Sequence, residues 1–556
     1  MAIKRYYANK DTIITNAFEP NLITRGTGSN MGASDILEVF SIYGQMISSG
    51  STIGFAKTQE LSRVLIQWEE SAFKNDRVAG IIPPSGSARF FLRLFNAKHS
   101  QTTPTEVTYN IVPVSSSWQE GYGMDIDNYT DLTKGGPGAD WIQRREGSNW
   151  TTIGGNYLDA HVKTQTLTKA NQDIEVDITD IIENWINTKS GGGYDDYGLG
   201  IHLTASQEAY FSSSAGINTG SSLQNPNGAT RSYYTKKFFG RNSQFFFKRP
   251  IIEVRWDSSM RDDRGTSFYS SSFVPAADNL NNFMLYNYVN GQLKSFGAPY
   301  AFAAGATIPP VFVKLFSGST DNTVPTGSAL TVVTSTSNVA SNSATVISGG
   351  FYIAPNGDGQ LQPNTAGIYT ASFAITASST PLTRIFDVWY LNESGVPGAV
   401  IYTGSFAPTV YGVSNVGVQP EYVFNISNLK DEYLDNENPR LRLSVREKNW
   451  NPSIYTVANA SPQSYTLENV YYRVTREIDG LTAITFGTGS ITPQTLGTAG
   501  SYTRLSYDAS GSYFDLDMSL LEPGYSYQLG FAYYNNNGYT NVKNKFKFRV
   551  EEDLNG

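Results

Sequence analysis

The chain has 556 residues, no cysteine, 16% charged residues and a formal net charge of −8. The lack of cysteine excludes disulfides and thiolate metal sites, and a charge spread without basic runs lacks the basic face of a nucleic-acid binder. With 40% hydrophobic residues, 13% aromatics and 51 glycines, the composition predicts an all-β protein of several domains, each with its own core.

Taken in order, Met1-Ala2-Ile3-Lys4-Arg5-Tyr6-Tyr7 runs into strand-like sequence without the apolar core of a signal peptide, so export by the ordinary signal route is not expected. Alternation marks strands at Arg89–Phe95 and Val107–Val112. One helix is expected, because Ile178, Ile181, Ile182, Trp185 and Ile186 share one face of a 3.6-residue period. Asp177 is its expected N-cap, and Gly191-Gly192-Gly193 its stop. Six of the eight tryptophans lie before residue 258, so the richest core is expected there. The apolar stretch from Ser295 to Val313 contains Pro299, Pro309 and Pro310 and is no membrane span.

Arg261-Asp262-Asp263-Arg264-Gly265 reads as a linker. Beyond it the composition changes: between Asn322 and Thr383 the single charge is Asp358. Strands are expected at Val311–Phe316, Leu330–Thr334, Gly367–Ile375 and Arg384–Tyr390, a spacing that suggests an immunoglobulin-like sandwich. So uncharged a surface fits one covered by neighbours, with Ser/Thr-rich disorder as the other reading. Charge returns after Thr409, with alternation at Leu441–Arg446, Tyr471–Val474 and Phe546–Val550. The expected domains are 1–258, 259–408 and 409–556.

Catalytic constellations are sparse. His99, His161 and His202 form no metal-binding pair by spacing, and His202 in Ile201-His202-Leu203 reads as an outward-facing strand residue. No Gly-x-Ser-x-Gly elbow supports a nucleophilic triad, and Gly135-Gly136-Pro137-Gly138 lacks the Lys-Ser/Thr of a phosphate loop. Carboxylate pairs for glycoside hydrolysis are available in Glu120 with Asp125 and in Asp515 with Asp517, the latter reading as a solvated strand face if Tyr513–Met518 is a strand. Asp125, Asp127 and Asp131 stand at positions 1, 3 and 7 of a loop that suits either a calcium ion or an Asx-rich turn; the Gly and Glu that an EF-hand needs are missing. Calcium is the one cofactor the sequence offers. Trp118 and Trp185 read as packing residues, whereas Trp141, Trp150, Tyr194 and Tyr197, in Gly-rich loops, suit either packing or contact with a carbohydrate or partner.

One resemblance organises these features. Asp11-Thr12-Ile13-Ile14, Asn30-Met31-Gly32, Leu61–Trp68, Trp118-Gln119-Glu120-Gly121, Asp177-Ile178-Thr179 with Trp185, Tyr197–Ile201 and Arg249–Val254 occur in an order that resembles the disaggregatase-related DNRLRE module, over roughly residues 4–256. The long Ser206–Ser232 insertion departs from it. The whole chain also resembles virion structural proteins of tailed bacteriophages of the marine cyanobacterial type, through Gly32–Phe40, Gly367-Ile368-Tyr369, Asp387–Tyr390, Tyr402–Phe406 and Thr503–Tyr525. The resemblance implies a jelly-roll-like β-sandwich followed by two immunoglobulin-like sandwiches. It also implies a non-enzymatic virion component: a fibre, collar, decoration or tail-associated protein. Other virion proteins and sister copies, a trimer by expectation, would be its partners, with no nucleic acid and no membrane insertion. The alternative is a carbohydrate-binding adhesin or receptor-binding protein that takes a host-surface glycan.

Overall fold

The computed structural model describes residues 3–553 apart from 20–23, 48–54, 70, 100–105, 125–135, 188–190, 271–274, 295, 297–310, 319–324, 326, 337–338, 345, 352–366, 377–381, 394–395, 411–420, 450, 452–453, 455–463, 488–500 and 536–537. The chain divides into two compact units, Ile3–Arg255 and Trp256–Gly556. Both are built from β-sheets in sandwich-like arrangements.

In the first unit, a four-stranded antiparallel sheet takes the order Ile3–Tyr7, Ile251–Trp256, Ala88–Leu94, Ile174–Asp177. A seven-stranded sheet runs Tyr233–Phe239, Ile36–Ile47, Phe55–Gln67, Leu199–Leu203, Val107–Pro113, Lys163–Leu167, with Lys10–Thr15 also paired to Phe55–Gln67. Its middle strands are buried on both faces: every residue of Leu199–Leu203 is buried, although a Gly and a His alternate with the aliphatics.

The expected helix is present as Thr179–Asn187 and buries Ile181, Ile182 and Trp185. It starts later than the sequence suggests, because Asp177 ends a strand. From there the Asp177 carboxylate accepts from the Thr179 backbone N–H at 3.0 Å and still caps the first turn. A second helix, Ala72–Val78, was not expected. Its seven residues carry one buried anchor, Phe73, too short a stretch to show a period. A bidentate Arg77–Glu183 pair, at 2.7 and 3.3 Å, ties the two helices together.

The second unit holds a six-stranded sheet in the order Asn281–Tyr286, Ile368–Phe373, Val346–Phe351, Val311–Gly318, Arg384–Glu393, Val396–Phe406. Its core gathers Phe283, Val313, Tyr369, Phe373 and Trp389. A four-stranded sheet (Tyr422–Ile426, Arg440–Glu447, Gly511–Asp515, Ser506–Asp508) meets a second six-stranded sheet centred on Tyr525–Asn535 and Val470–Arg476. Rings fill the space between these two: Tyr472 stacks on Phe514 at 4.6 Å, and Phe424 lies 5.8 Å from Phe531.

Two local expectations are corrected here. Arg261–Gly265 is no exposed linker, since Asp262 and Asp263 are buried. The Asp263 carboxylate accepts from the Tyr507 hydroxyl at 2.7 Å and the Asn282 N–H at 2.7 Å, while Arg264 pairs with buried Asp387 at 2.8 Å. The strand expected over Tyr513–Met518 ends at Asp515, and Asp517 instead caps a short 3-10 turn, accepting from the Ser519 N–H at 3.0 Å. Asp515 is engaged by Arg440 at 2.8 Å. The two acids therefore do not form a strand-face pair.

Candidate functional site

The seven-stranded sheet carries a layer of loops on one face, and the central strand shows why it stays there. Gln59, Leu61, Arg63 and Leu65 alternate along Phe55–Gln67, so all four side chains leave the same face. In register beside them stand Ile14 opposite Arg63 and Gly200 opposite Leu65. Leu61, Leu65 and Ile14 pack with Trp118, Trp141, Trp150, Ala209 and Leu223, which come from the loops. Gly200 is required by this packing, because a Cβ there would sit 2.2 Å from the Tyr157 ring.

Loops over a sheet bury backbone groups that lose water, and each needs a partner. Side chains supply many of them. Gln59 donates to the Ala209 and Leu223 carbonyls at 2.8 and 3.1 Å and accepts from the Leu223 N–H at 2.8 Å. Asn30 accepts from the N–H groups of Tyr122 and Gly123 at 3.0 and 2.9 Å and donates to the Pro137 carbonyl. Asp140 accepts from the N–H groups of Ile142 and Gln143 at 2.7 and 2.6 Å, and burial pushes its pKa up to about 6. The indole N–H groups of Trp118, Trp141 and Trp150 donate to the carbonyls of Tyr197, Ser221 and Asp140 at 2.8–2.9 Å.

At the centre is a buried ion pair. Arg63 grips Glu208 with two hydrogen bonds of 2.9 and 2.7 Å and donates a third, of 3.0 Å, to the Gly154 carbonyl. Burial opposes the guanidinium charge, and the Glu208 carboxylate more than offsets it, holding the Arg63 pKa above its ordinary value. His202 lies alongside, its ring 5.2 Å from that of Tyr157. Its Nδ1 donates to the Leu203 carbonyl at 2.7 Å, and its buried Nε2 has no partner among the described residues. Burial, aided by the Arg63 charge and opposed by Glu208, lowers its pKa to about 4, so the ring is neutral at physiological pH. The sequence reading placed His202 facing outward; the loop layer covers that face, and the histidine is only 8% exposed.

The other residues singled out from the sequence differ in burial and in partners. Trp141 and Trp150, at 0% and 4% exposure, are core residues with satisfied indole N–H groups. Tyr197 is half-buried against the same core, its hydroxyl 3.3 Å from Asp195, and Tyr194 is half-buried with its ring 4.8 Å from that of His161. Burial raises the Tyr194 pKa. Asp125, Asp127 and Asp131 lie outside the described residues. Glu120, the remaining partner of the Asp125 pair, accepts from Arg241 at 2.9 Å. Trp118 and Trp185 are both 5% exposed. Among the described residues no three His, Asp or Glu side chains gather as a metal site, and no helix is long and apolar enough to cross a membrane. The Arg63–Glu208 pair was missed, because its members are 145 residues apart and neither stands in a motif.

The layer as a whole can position surface groups rigidly. It exposes Tyr122, Met124 and Ile217 at 57%, 70% and 63%. No protein-family model and no curated protein matches the chain. A crystal structure of the chicken CNTN1 FN1–FN3 domains is similar over 60% of this chain and 84% of its own length, at 7% sequence identity and a TM-score of 0.14.

Proposed function

We propose that this chain is a non-enzymatic attachment protein, a carbohydrate-binding adhesin or receptor-binding protein of a virus particle, built from β-sandwiches in series. In this reading residues 1–258 are the jelly-roll-like module, and 259–408 and 409–556 are two immunoglobulin-like sandwiches. The observation that carries the proposal is the loop layer. Loops on a rigid scaffold are where binding residues concentrate, and a surface already ordered before binding avoids much of the ordering cost. Here tryptophan, Asn30, Gln59, Asp140 and the Arg63–Glu208 pair hold the loops at many separate backbone groups. Tyr122, Met124 and Ile217 then present apolar contact area to a host-surface glycan or protein.

The test is binding of the purified full chain to host-cell polysaccharides, immobilised as a panel. Saturable binding that falls about tenfold in Tyr122→Ala with Ile217→Ala, at unchanged thermal midpoint, supports attachment. A chain that binds neither polysaccharide nor host cells overturns it.

A second reading, assembly between copies or with other virion proteins, is favoured by a different observation. Val396–Phe406 is an edge of its six-stranded sheet among the described residues, has no charged side chain, and exposes Val400 and Tyr402 at 57% and 41%. Long uncharged edges are templates for strand pairing. Sedimentation of the purified chain checks this: a concentration-dependent oligomer lost in Val400→Lys supports it, and a monomer at all concentrations counts against it.

A further inference from the structure

A pocket of about 50 Å³ opens between the two helices of the first unit, away from the loop layer's tryptophans. Ser71, Phe73 and Lys74 line it from Ala72–Val78 and its cap, Trp185 from Thr179–Asn187, and Asp195 and Asp196 from the turn beyond. The floor is aromatic and fixed: the rings of Phe73 and Trp185 stack at 6.3 Å and 30°, and Arg77–Glu183 locks the helices.

Two further observations point to a ligand. Trp185 is 5% exposed, yet its indole N–H donates to no acceptor among the described residues. A buried donor without an acceptor is costly and calls for an explanation. The tryptophans of the loop layer, by contrast, all find carbonyls. Ser71, at the mouth, is one of two described non-glycine residues with positive φ, at 68°. Left-handed backbone at a side chain other than glycine clusters at ligand sites.

The lining selects the chemistry. Asp195 and Asp196 repel an anionic ligand. A cation would suit the carboxylates but leave the Trp185 N–H without an acceptor and meet the Lys74 ammonium, which has no ion pair among the described residues. A neutral hydroxyl satisfies both sides, donating to a carboxylate while accepting from an N–H. An aromatic floor suits the apolar face of the ring that carries it. The volume admits about three water-sized groups, which matches the hydroxyl edge of one sugar residue and no more.

We infer that this pocket binds the hydroxyl edge of a neutral sugar, with Trp185 and Lys74 donating to it and Asp195 accepting from it. The inference builds on the attachment reading but uses a different surface. One pocket this small binds weakly, with a Kd on the order of 1 mM, so tight attachment would need several copies presented together.

The test labels the indole N–H groups of the full chain's eight tryptophans with ¹⁵N and titrates methyl glycosides of a neutral hexose, a uronic acid and an amino sugar. The expected result is a saturable shift of the Trp185 indole signal, assigned by its loss in Trp185→Phe, with the neutral hexoside and a much weaker shift with the uronate. Lys74→Ala and Asp195→Asn, at the exposed rim and therefore tolerant of substitution, should each weaken binding about tenfold at unchanged thermal midpoint. No shift with any glycoside up to about 100 mM, or equal binding in both rim variants, overturns the pocket. Polysaccharide binding that survives Trp185→Phe intact overturns the pocket alone and leaves attachment standing. Hexoside binding at Trp185 in a chain that ignores polysaccharides leaves the pocket standing and removes glycan attachment.

Discussion

The loop layer of the first unit and the C-terminal pair of sheets in the second solve the same problem with different chemistry. Between the four-stranded sheet and its six-stranded partner the filling is aromatic: Tyr472, Phe514, Phe424 and Phe531 touch directly. The Arg440–Asp515 pair, with side chains 46% and 33% exposed, sits at the surface. The loop layer instead buries Arg63 and Glu208 at 10% and 8% and spends tryptophan N–H groups on carbonyls. Strands satisfy one another's backbones, so a sandwich core can be apolar. Loops cannot, so polar side chains must be taken inside with them. The polar interior therefore marks the region whose conformation is specified by side chains.

That contrast can be broken most sharply at the buried pair. Glu208→Ala should destabilise the first unit by about 3–5 kcal/mol, because it leaves the Arg63 charge buried without compensation; urea unfolding followed by tryptophan fluorescence measures it. Equal stability would mean that water reaches the pair. Phe514→Ala should cost about 3–4 kcal/mol through the cavity it leaves between stacked rings. Its effect should fall on the second unit and leave the fluorescence transition of the first unchanged.

Acid should separate the regions next. His202 has a folded pKa of about 4 against 6.5 unfolded, so between those values the unfolded state binds more protons and stability falls as pH falls. The loss approaches about 3 kcal/mol at the lower end. Asp11 and Asp140, raised by burial to about 7 and about 6, act in the opposite sense, their contribution being lost as pH rises. The difference in thermal midpoint between the wild type and His202→Gln, followed from pH 6.5 down to 4, isolates the histidine. The gap should change steadily in favour of the variant on acidification, and a constant gap would show that His202 is not buried neutral. The smallest effect is expected at Arg440→Ala, below about 1 kcal/mol, since that pair is largely in water.

Much of the fold was legible in the sequence. Alternation located Ala88–Leu94, Val107–Pro113, Arg440–Glu447 and Phe546–Glu551, and the apolar period located Thr179–Asn187. The site was far less so. Alternation at Ile201-His202-Leu203 says that the histidine faces away from the aliphatics, but not that loops 136–160 and 204–229 return to cover it. Trp141 and Trp150 sit in Gly-rich sequence that looks exposed, and it is packing on Ile14, Leu61 and Leu65, with the carbonyls of Ser221 and Asp140 taking their indole N–H groups, that explains their burial. Ala72–Val78 is too short to show a period, so the pocket it builds with Trp185 left no trace in the sequence. Local patterns reveal which residues share a face; which distant segment lies over that face is a long-range fact.

Hydrogen exchange on the full chain tests whether the loop layer is ordered in advance of binding. Without ligand, the N–H groups of Tyr122, Gly123, Ile142, Gln143 and Leu223, all held by buried side chains, should exchange as slowly as those of Leu199–Leu203, and added host polysaccharide should slow exchange further around Tyr122 and Ile217. Exchange at those sites as fast as in an unfolded chain would contradict the account.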